Sequence, residues 1–201
     1  RFSDEVIEKY RTQSDPILYP DVNWTDLLVS DASYQTQTNV NISGGTERVK
    51  YFFSAGYFTQ NGLFNTDVYD PGYDYQLKYR RYNLRSNFDF NINKNLKVSF
   101  DLSTQMDDTR GPNWSTSSFM NMLVTVPPII SPGVVDNKIV MVPTTAQIPA
   151  STPMVAYMKG NHKDYANFLN GSIRVNYKMD YLTKGLAAVS YTHLTLPTSD
   201  L

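Results

Sequence analysis

The 201-residue sequence contains no cysteine, which excludes disulfide frameworks, thiolate metal sites and cysteine nucleophiles. Two histidines, His162 and His193, leave little material for a histidine-rich metal site or a proton relay. No Gly-rich phosphate loop and no Ser-His-Asp arrangement stands out. Charge of either sign is not in excess: 18 basic and 19 acidic residues give a net charge of −1. That argues against a nucleic-acid binder relying on a basic field, and against an acidic disordered tail. No run of 18 apolar residues occurs, so a transmembrane helix is excluded. A membrane β-barrel is not excluded, because its strands signal by alternation. The chain opens at Arg1 without a methionine or signal peptide and reads as a piece of something longer.

What is abundant is tyrosine and phenylalanine, 15 and 10 residues against 2 tryptophans. Residues 3–12 predict a short helix, with Ser3 as cap, Asp4 and Glu5 in the first turn, and Lys9 and Arg11 toward the end. Pro16 and Pro20 prevent its continuation. A short helical turn is expected at Trp24–Leu28.

From Tyr34 the period becomes two. Thr36, Thr38, Val40 and Ile42 alternate with Gln35, Gln37, Asn39 and Asn41. Gly44-Gly45-Thr46 turns the chain, and Val49, Tyr51, Phe53, Ala55 and Tyr57 alternate on the return. A second hairpin sets Tyr82, Leu84, Phe88, Phe90 and Ile92 against Asn83, Arg85, Asn87, Asp89 and Asn91. It turns tightly at Lys94-Asn95 and returns through Leu96, Val98, Phe100, Leu102 and Met106. Residues 107–166 form a proline-rich excursion holding a helical patch at Thr116–Thr125, closed by Pro127-Pro128, and an apolar stretch at Lys138–Val142. A further strand runs through Leu169, Ile173, Val175 and Tyr177, with Lys184-Gly185 turning into another. The predicted fold class is all-β: about five to six antiparallel strands, near 34–43, 47–60, 81–93, 96–106, 168–181 and 186–188, with a short N-terminal helix and a long loop.

These strands are longer than the usual five to six residues of soluble sheets, and match the roughly 9–11 residues of a tilted membrane strand. Tyrosines gather near strand ends, as in an aromatic girdle, and the opposite face is rich in amides and charges. Connections alternate short and long, as in outer-membrane barrels with short periplasmic turns and long extracellular loops. The pattern fits part of a membrane barrel; a soluble antiparallel sheet protein is the alternative. The apolar face would point to lipid in the first and to a packed second sheet in the second.

The hairpin over 39–62 resembles the start of the barrel in the SusC/RagA family of TonB-dependent outer-membrane transporters. The resemblance is carried by Gly44, Gly45, Thr46, Glu47, Tyr51, Phe52, Ser54, Gly56, Tyr57, Gln60 and Gly62. Asp15-Pro16 with Tyr19-Pro20 and Asp21-Val22-Asn23-Trp24 is similar to the family's segment before the barrel. Tyr82-Asn83-Leu84-Arg85-Ser86-Asn87 is similar to its next strand, and the helix ending in Pro127-Pro128 is similar too. The resemblance covers 1–188. It implies that 1–33 connects a plug to the barrel and that 34–188 is a partial barrel in the cell outer membrane, against the lipid bilayer. It further implies import of large nutrients, a glycan or an oligopeptide, through a barrel of about 22 strands. A SusD-type surface lipoprotein would act as lid, and the TonB complex would pull on a plug that lies outside this chain. Hydrolysis, cofactors and nucleic-acid partners are not expected. The alternative from another class is a soluble β-sheet carbohydrate-binding module. Val189–Thr198 resembles a translated sequencing-library adapter, which implies that 189–201 is a non-native tail.

Among individual residues, the row containing Arg85 and Asn87 supplies directional hydrogen bonds suited to a polar substrate; a water-lined wall with mutual side-chain pairing is the plainer alternative. Arg85, Arg174 and Asp89 are expected to pair across strands. Trp114, Tyr73 and Tyr75, in the long connections, could stack on sugar rings or meet a lid protein, or simply pack the loops. Asp107-Asp108 is read as a solvated strand end rather than a catalytic pair, since neighbours in an extended chain point to opposite faces. No residue is assigned a catalytic or metal-binding role.

Overall fold

The structure is a computed structural model that describes residues 2–140 and 152–199. The chain divides into two compact units. Among the described residues, one comprises 34–60, 78–109 and 164–199; the other comprises 2–33, 61–77, 110–140 and 152–163.

The first unit is built on a six-stranded antiparallel sheet in the order β1-β2-β3-β4-β7-β8. The strands are β1 (Gln35–Gly45), β2 (Val49–Asn61), β3 (Lys78–Asn91), β4 (Leu96–Pro112), β7 (Asn161–Lys178) and β8 (Ala187–Ser199). In β1 and β2, Val40 pairs with Ala55, Ile42 with Phe53, and Gly44 with Tyr51. The alternating apolar residues of both strands therefore share one face. Tyr57 meets Tyr82 at 5.1 Å between ring centroids, and Phe88 meets Phe100 at 6.5 Å. These contacts carry the same face across β3 and β4. Its side chains remain open: Val40, Ile42, Tyr51, Phe53, Tyr82, Leu84, Leu102, Met106, Ile173 and Tyr177 are 37–55% exposed. A row of large apolar groups this long, uncovered by a second layer, is rare on a water-soluble surface.

The turn between β1 and β2 depends on Gly45, with φ +154°. A Cβ there would collide with the Val49 carbonyl oxygen, so no larger residue fits. The Thr46 amide donates to that same oxygen, and the Thr46 hydroxyl accepts from the amides of Arg48 and Val49.

Strand limits depart from the alternation in instructive places. β4 continues past 106 to Pro112, and β7 begins at Asn161 rather than near 168. The added stretches are mostly polar, so backbone pairing continues where apolar alternation has stopped. The β3–β4 connection is also wider than a tight turn at Lys94-Asn95. It spans 92–95, with the Ile92 amide donating to Leu96 O and Asn93 Oδ1 accepting from the amides of Asn95 and Leu96. β8 pairs regularly with β7, Ile173 opposite Thr192 and Val175 opposite Ser190.

The second unit holds the buried core. Trp24, Leu28, Phe64, Tyr75, Phe119, Leu123, Met154, Ala156 and Tyr157 form one cluster. It draws on α2 (Trp24–Leu28), α3 (Thr116–Thr125) and the four-residue α4 (Val155–Met158). Asn23 caps α2 and Ser115 caps α3. Backbone bonds tie distant segments: Ser30 N to Leu63 O at 2.8 Å, Asn65 N to Leu28 O at 3.0 Å, and Val22 N to Pro128 O at 3.1 Å. Tyr157 sits at the centre, its hydroxyl 3.2 Å from the carbonyls of both Leu28 and Asn65. A two-stranded ladder joins β5 (Val134–Val135) to β6 (Lys138–Ile139). The rest of the expected apolar stretch, 141–142, lies outside the described residues. α1 (Asp4–Thr12) is capped by Ser3 and carries the Glu5–Lys9 and Glu8–Arg11 ion pairs on its surface.

Candidate transport surface

The face of the sheet opposite the apolar one is bound together by cross-strand polar contacts. Asp89 accepts from the Ser99 hydroxyl at 2.6 Å and from Lys97 Nζ at 3.0 Å. Asn87 donates to Asp101, whose second carboxylate oxygen accepts from the Ser172 hydroxyl at 3.2 Å. This links β3, β4 and β7 in one chain of contacts. Further along, Asp107 accepts from Arg81 Nε at 2.9 Å, from the Tyr79 hydroxyl at 3.0 Å and from Gln105 at 2.9 Å. Each of these carboxylates is matched by donors on its own or the next strand, which is what lets charged groups line a sheet face without repelling each other.

Two expectations about pairing need correction. Asp89 does pair across strands, but with Lys97. Arg85 and Arg174 have no carboxylate partner among the described residues; the Arg174 guanidinium instead lies 5.3 Å from the Tyr191 ring. Register is the reason. Asp89 meets Ser99, Asn87 meets Asp101 and Arg81 meets Asp107, and the same register carries Arg85 to Ser103, which has a hydroxyl and no charge. The tight turn read at Lys94-Asn95 gave no guide to this, because the true connection is four residues wide.

Arg85 and Asn87 therefore differ. Asn87 is committed to Asp101, whereas Arg85 projects, exposed, into hollows on this face. One hollow of about 470 Å³ is lined by Asn83, Arg85, Ser103, Gln105, Phe168 and Asn170, among others. A smaller one of about 210 Å³ includes Arg85, Asp101, Ser172 and residues of β8. Asp101 and Ser172 fall on the polar face expected for them, and Phe168 is the member of this surface that the alternation did not single out. Only the register shows which side chains of this face meet.

Of the candidate residues of the second unit, Tyr73 and Tyr75 meet edge to face with ring centroids 6.3 Å apart, and Trp114 packs against the aromatic cluster that contains Tyr75. Tyr75 is buried, its hydroxyl bonded to the carbonyls of Tyr69 at 2.7 Å and Thr66 at 3.2 Å. Burial, reinforced by the charges of Asp70 and Asp67, holds its phenol well above the usual range. Tyr157 is raised likewise, first by burial and then by Tyr75. The Tyr73 hydroxyl donates to Tyr157 O at 3.2 Å and accepts from the Gly160 amide at 3.1 Å. Trp114 is half-buried; its indole N–H is buried without a partner among the described residues, and Lys159 Nζ lies 5.9 Å from its ring. With Asn113, Ser115 and Ser118 it lines a shallow hollow of about 330 Å³. Among the described residues no group of three or more His, Asp and Glu converges as a metal site would require. The His162 ring nitrogen Nδ1 lies 2.9 Å from Pro112 O.

No family model matches the chain. It is 26% identical over 166 residues to the TonB-dependent receptor P26 of Formosa agariphila, a match covering 82% of this chain and 15% of that receptor. Its fold is similar to part of the RagAB peptide transporter, with TM-score 0.64, 20% identity, and coverage of 88% of this chain and 19% of that one. A structure of the RagAB peptide importer in a closed-closed state gives the same values. The chain thus spans less than a fifth of the length of each of these proteins.

Proposed function

We propose that this chain, SusC/RagA-like in sequence and fold, is part of the wall of a TonB-dependent importer in the outer membrane. The observation that carries the reading is the two-faced sheet. One face presents uncovered Val, Ile, Leu, Phe and Tyr over strands of 11–18 residues; the other is a hydrogen-bonded polar surface. A bilayer on one side and water on the other is the environment in which both faces are satisfied. A soluble carbohydrate-binding module would leave the apolar face without a covering layer.

In this reading residues 34–188 are wall, 1–33 connect to a plug, and 189–201 are a non-native tail. The long connections meet substrate and a SusD-type lipoprotein, and TonB acts through the plug. The cargo is a large nutrient, an oligopeptide or a glycan. The wall binds and guides; it performs no chemistry. The test is to express the complete reading frame with its neighbouring genes in an outer-membrane host. Uptake of labelled oligopeptides or oligosaccharides that stops when TonB is deleted is the expected result. A frame that yields a water-soluble protein, or uptake indifferent to TonB, would overturn it.

A further inference from the structure

The polar face of the sheet matches most of its charges, but Arg85 and Arg174 have no carboxylate partner among the described residues, and Arg174 lies against the Tyr191 ring instead. Lys97 is taken by Asp89, Arg81 by Asp107, and Asp101 by Asn87 and Ser172. Arg85, at the middle of β3, has no hydrogen-bond or ion-pair partner among the described residues. It stands at a hollow of about 470 Å³ whose lining contains no carboxylate. The rest of that lining is of one kind: the amides of Asn83, Gln105 and Asn170, the hydroxyl of Ser103, and the exposed ring of Phe168. None of it comes from residues 189–201.

We infer that Arg85 is a recognition point for a carboxylate carried by the transported molecule. The inference rests on the transporter reading above and narrows its substrate class to anionic cargo. A guanidinium presents a planar fork of donors that fits a carboxylate in a two-point contact. Elsewhere on this face the fold supplies each acid with a donor from its own or a neighbouring strand; Arg85 shares the smaller hollow with Asp101, but both oxygens of that carboxylate are taken by Asn87 and Ser172 and no ion pair with Arg85 forms. The neighbouring amides and the hydroxyl bond the neutral polar groups flanking such a carboxylate. Phe168 gives a flat apolar surface for the carbon skeleton beside it. Arg85 is exposed and so accessible from the water side.

A uronate unit and an acidic amino-acid residue offer the same group, and the probes distinguish them. The full-length transporter, purified in detergent, is titrated with an oligogalacturonate and its methyl ester, and with a glutamate-rich oligopeptide and its glutamine counterpart. Expected is tighter binding of at least one acidic probe than of its neutral match. That preference should fall at least tenfold in Arg85→Gln, remain in part in Arg85→Lys, and weaken with salt. Which acidic probe binds identifies the source of the carboxylate. Equal binding of acidic and neutral probes, no binding of either acid, or an Arg85→Gln variant that binds like the parent would overturn the inference. Heat-modifiable migration of each variant is followed in parallel. A parent protein that does not form a barrel at all would count against the transporter reading instead.

Discussion

A lysine placed on the apolar face should be far more damaging than one placed three residues away on the polar face. Leu84 lies near the centre of β3, a strand of 14 residues. At about 3.4 Å per residue and a tilt of about 45°, such a strand crosses about 33 Å, close to the hydrocarbon thickness of about 30 Å. Leu84 thus falls near the bilayer midplane, where lysine costs about 2–4 kcal/mol. That corresponds to a roughly 30- to 700-fold shift between assembled and unassembled protein. Asn87→Lys replaces one donor to Asp101 with another on the water-facing side, and should stay within about 0.5 kcal/mol of the parent. The assay is urea titration of the full-length protein refolded into liposomes, read by heat-modifiable migration. Equal losses for the two variants, or the larger loss for Asn87→Lys, would refute the assignment of faces.

Tyr157→Phe removes a hydroxyl held by two carbonyls and should lower the stability of the aromatic core by about 1–2 kcal/mol. Limited proteolysis within 61–77 and 113–160 should accelerate accordingly. The phenols of Tyr75 and Tyr157 are raised above the ordinary value of 10.0 by burial, while the unfolded chain ionises near that value. Their contribution is therefore complete below pH 10 and is lost as pH rises above it, because only the unfolded state releases the protons. Absorbance at the tyrosinate band should show these phenols titrating together with unfolding rather than before it. Gly45→Ala drives a Cβ into the Val49 carbonyl and should disrupt the β1–β2 turn, seen as reduced barrel yield. Sequencing the genomic locus should show codons after 188 that differ from Val189–Thr198.

The sheet was legible in the sequence because a period of two survives any tertiary context once one face is apolar and the other polar. Val40, Ile42, Phe53 and Leu84 could be placed on a shared face without coordinates. What joins the strands on the other face was not legible. The partner of Asp89 or Arg85 depends on a connection being four residues wide rather than two, and slipping a register changes every neighbour. The aromatic core was hidden for another reason. Trp24, Phe64, Phe119 and Tyr157 come from separate aperiodic stretches, each with a few apolar residues and no repeating face to announce it. Tyr75 shows the consequence: in the sequence it is one of several loop tyrosines suited to stacking on a ligand, whereas its place is inside, with its hydroxyl bonded to backbone.

The central claim is that the apolar face meets lipid while the polar face meets water. Because this chain has no cysteine, single cysteines can be introduced along β3 from Tyr82 to Phe90 without background from it. Spin labels at these sites, in the full-length protein embedded in liposomes, report their collision rates with oxygen and with a water-soluble nickel chelate. The predicted result is a period of two, with Tyr82, Leu84, Phe88 and Phe90 favouring oxygen, and Asn83, Arg85, Asn87 and Asp89 favouring the chelate. Uniform access of the chelate to both sets, or equal exclusion of both reagents from the apolar set by protein packing, would contradict the membrane wall and favour a soluble sheet.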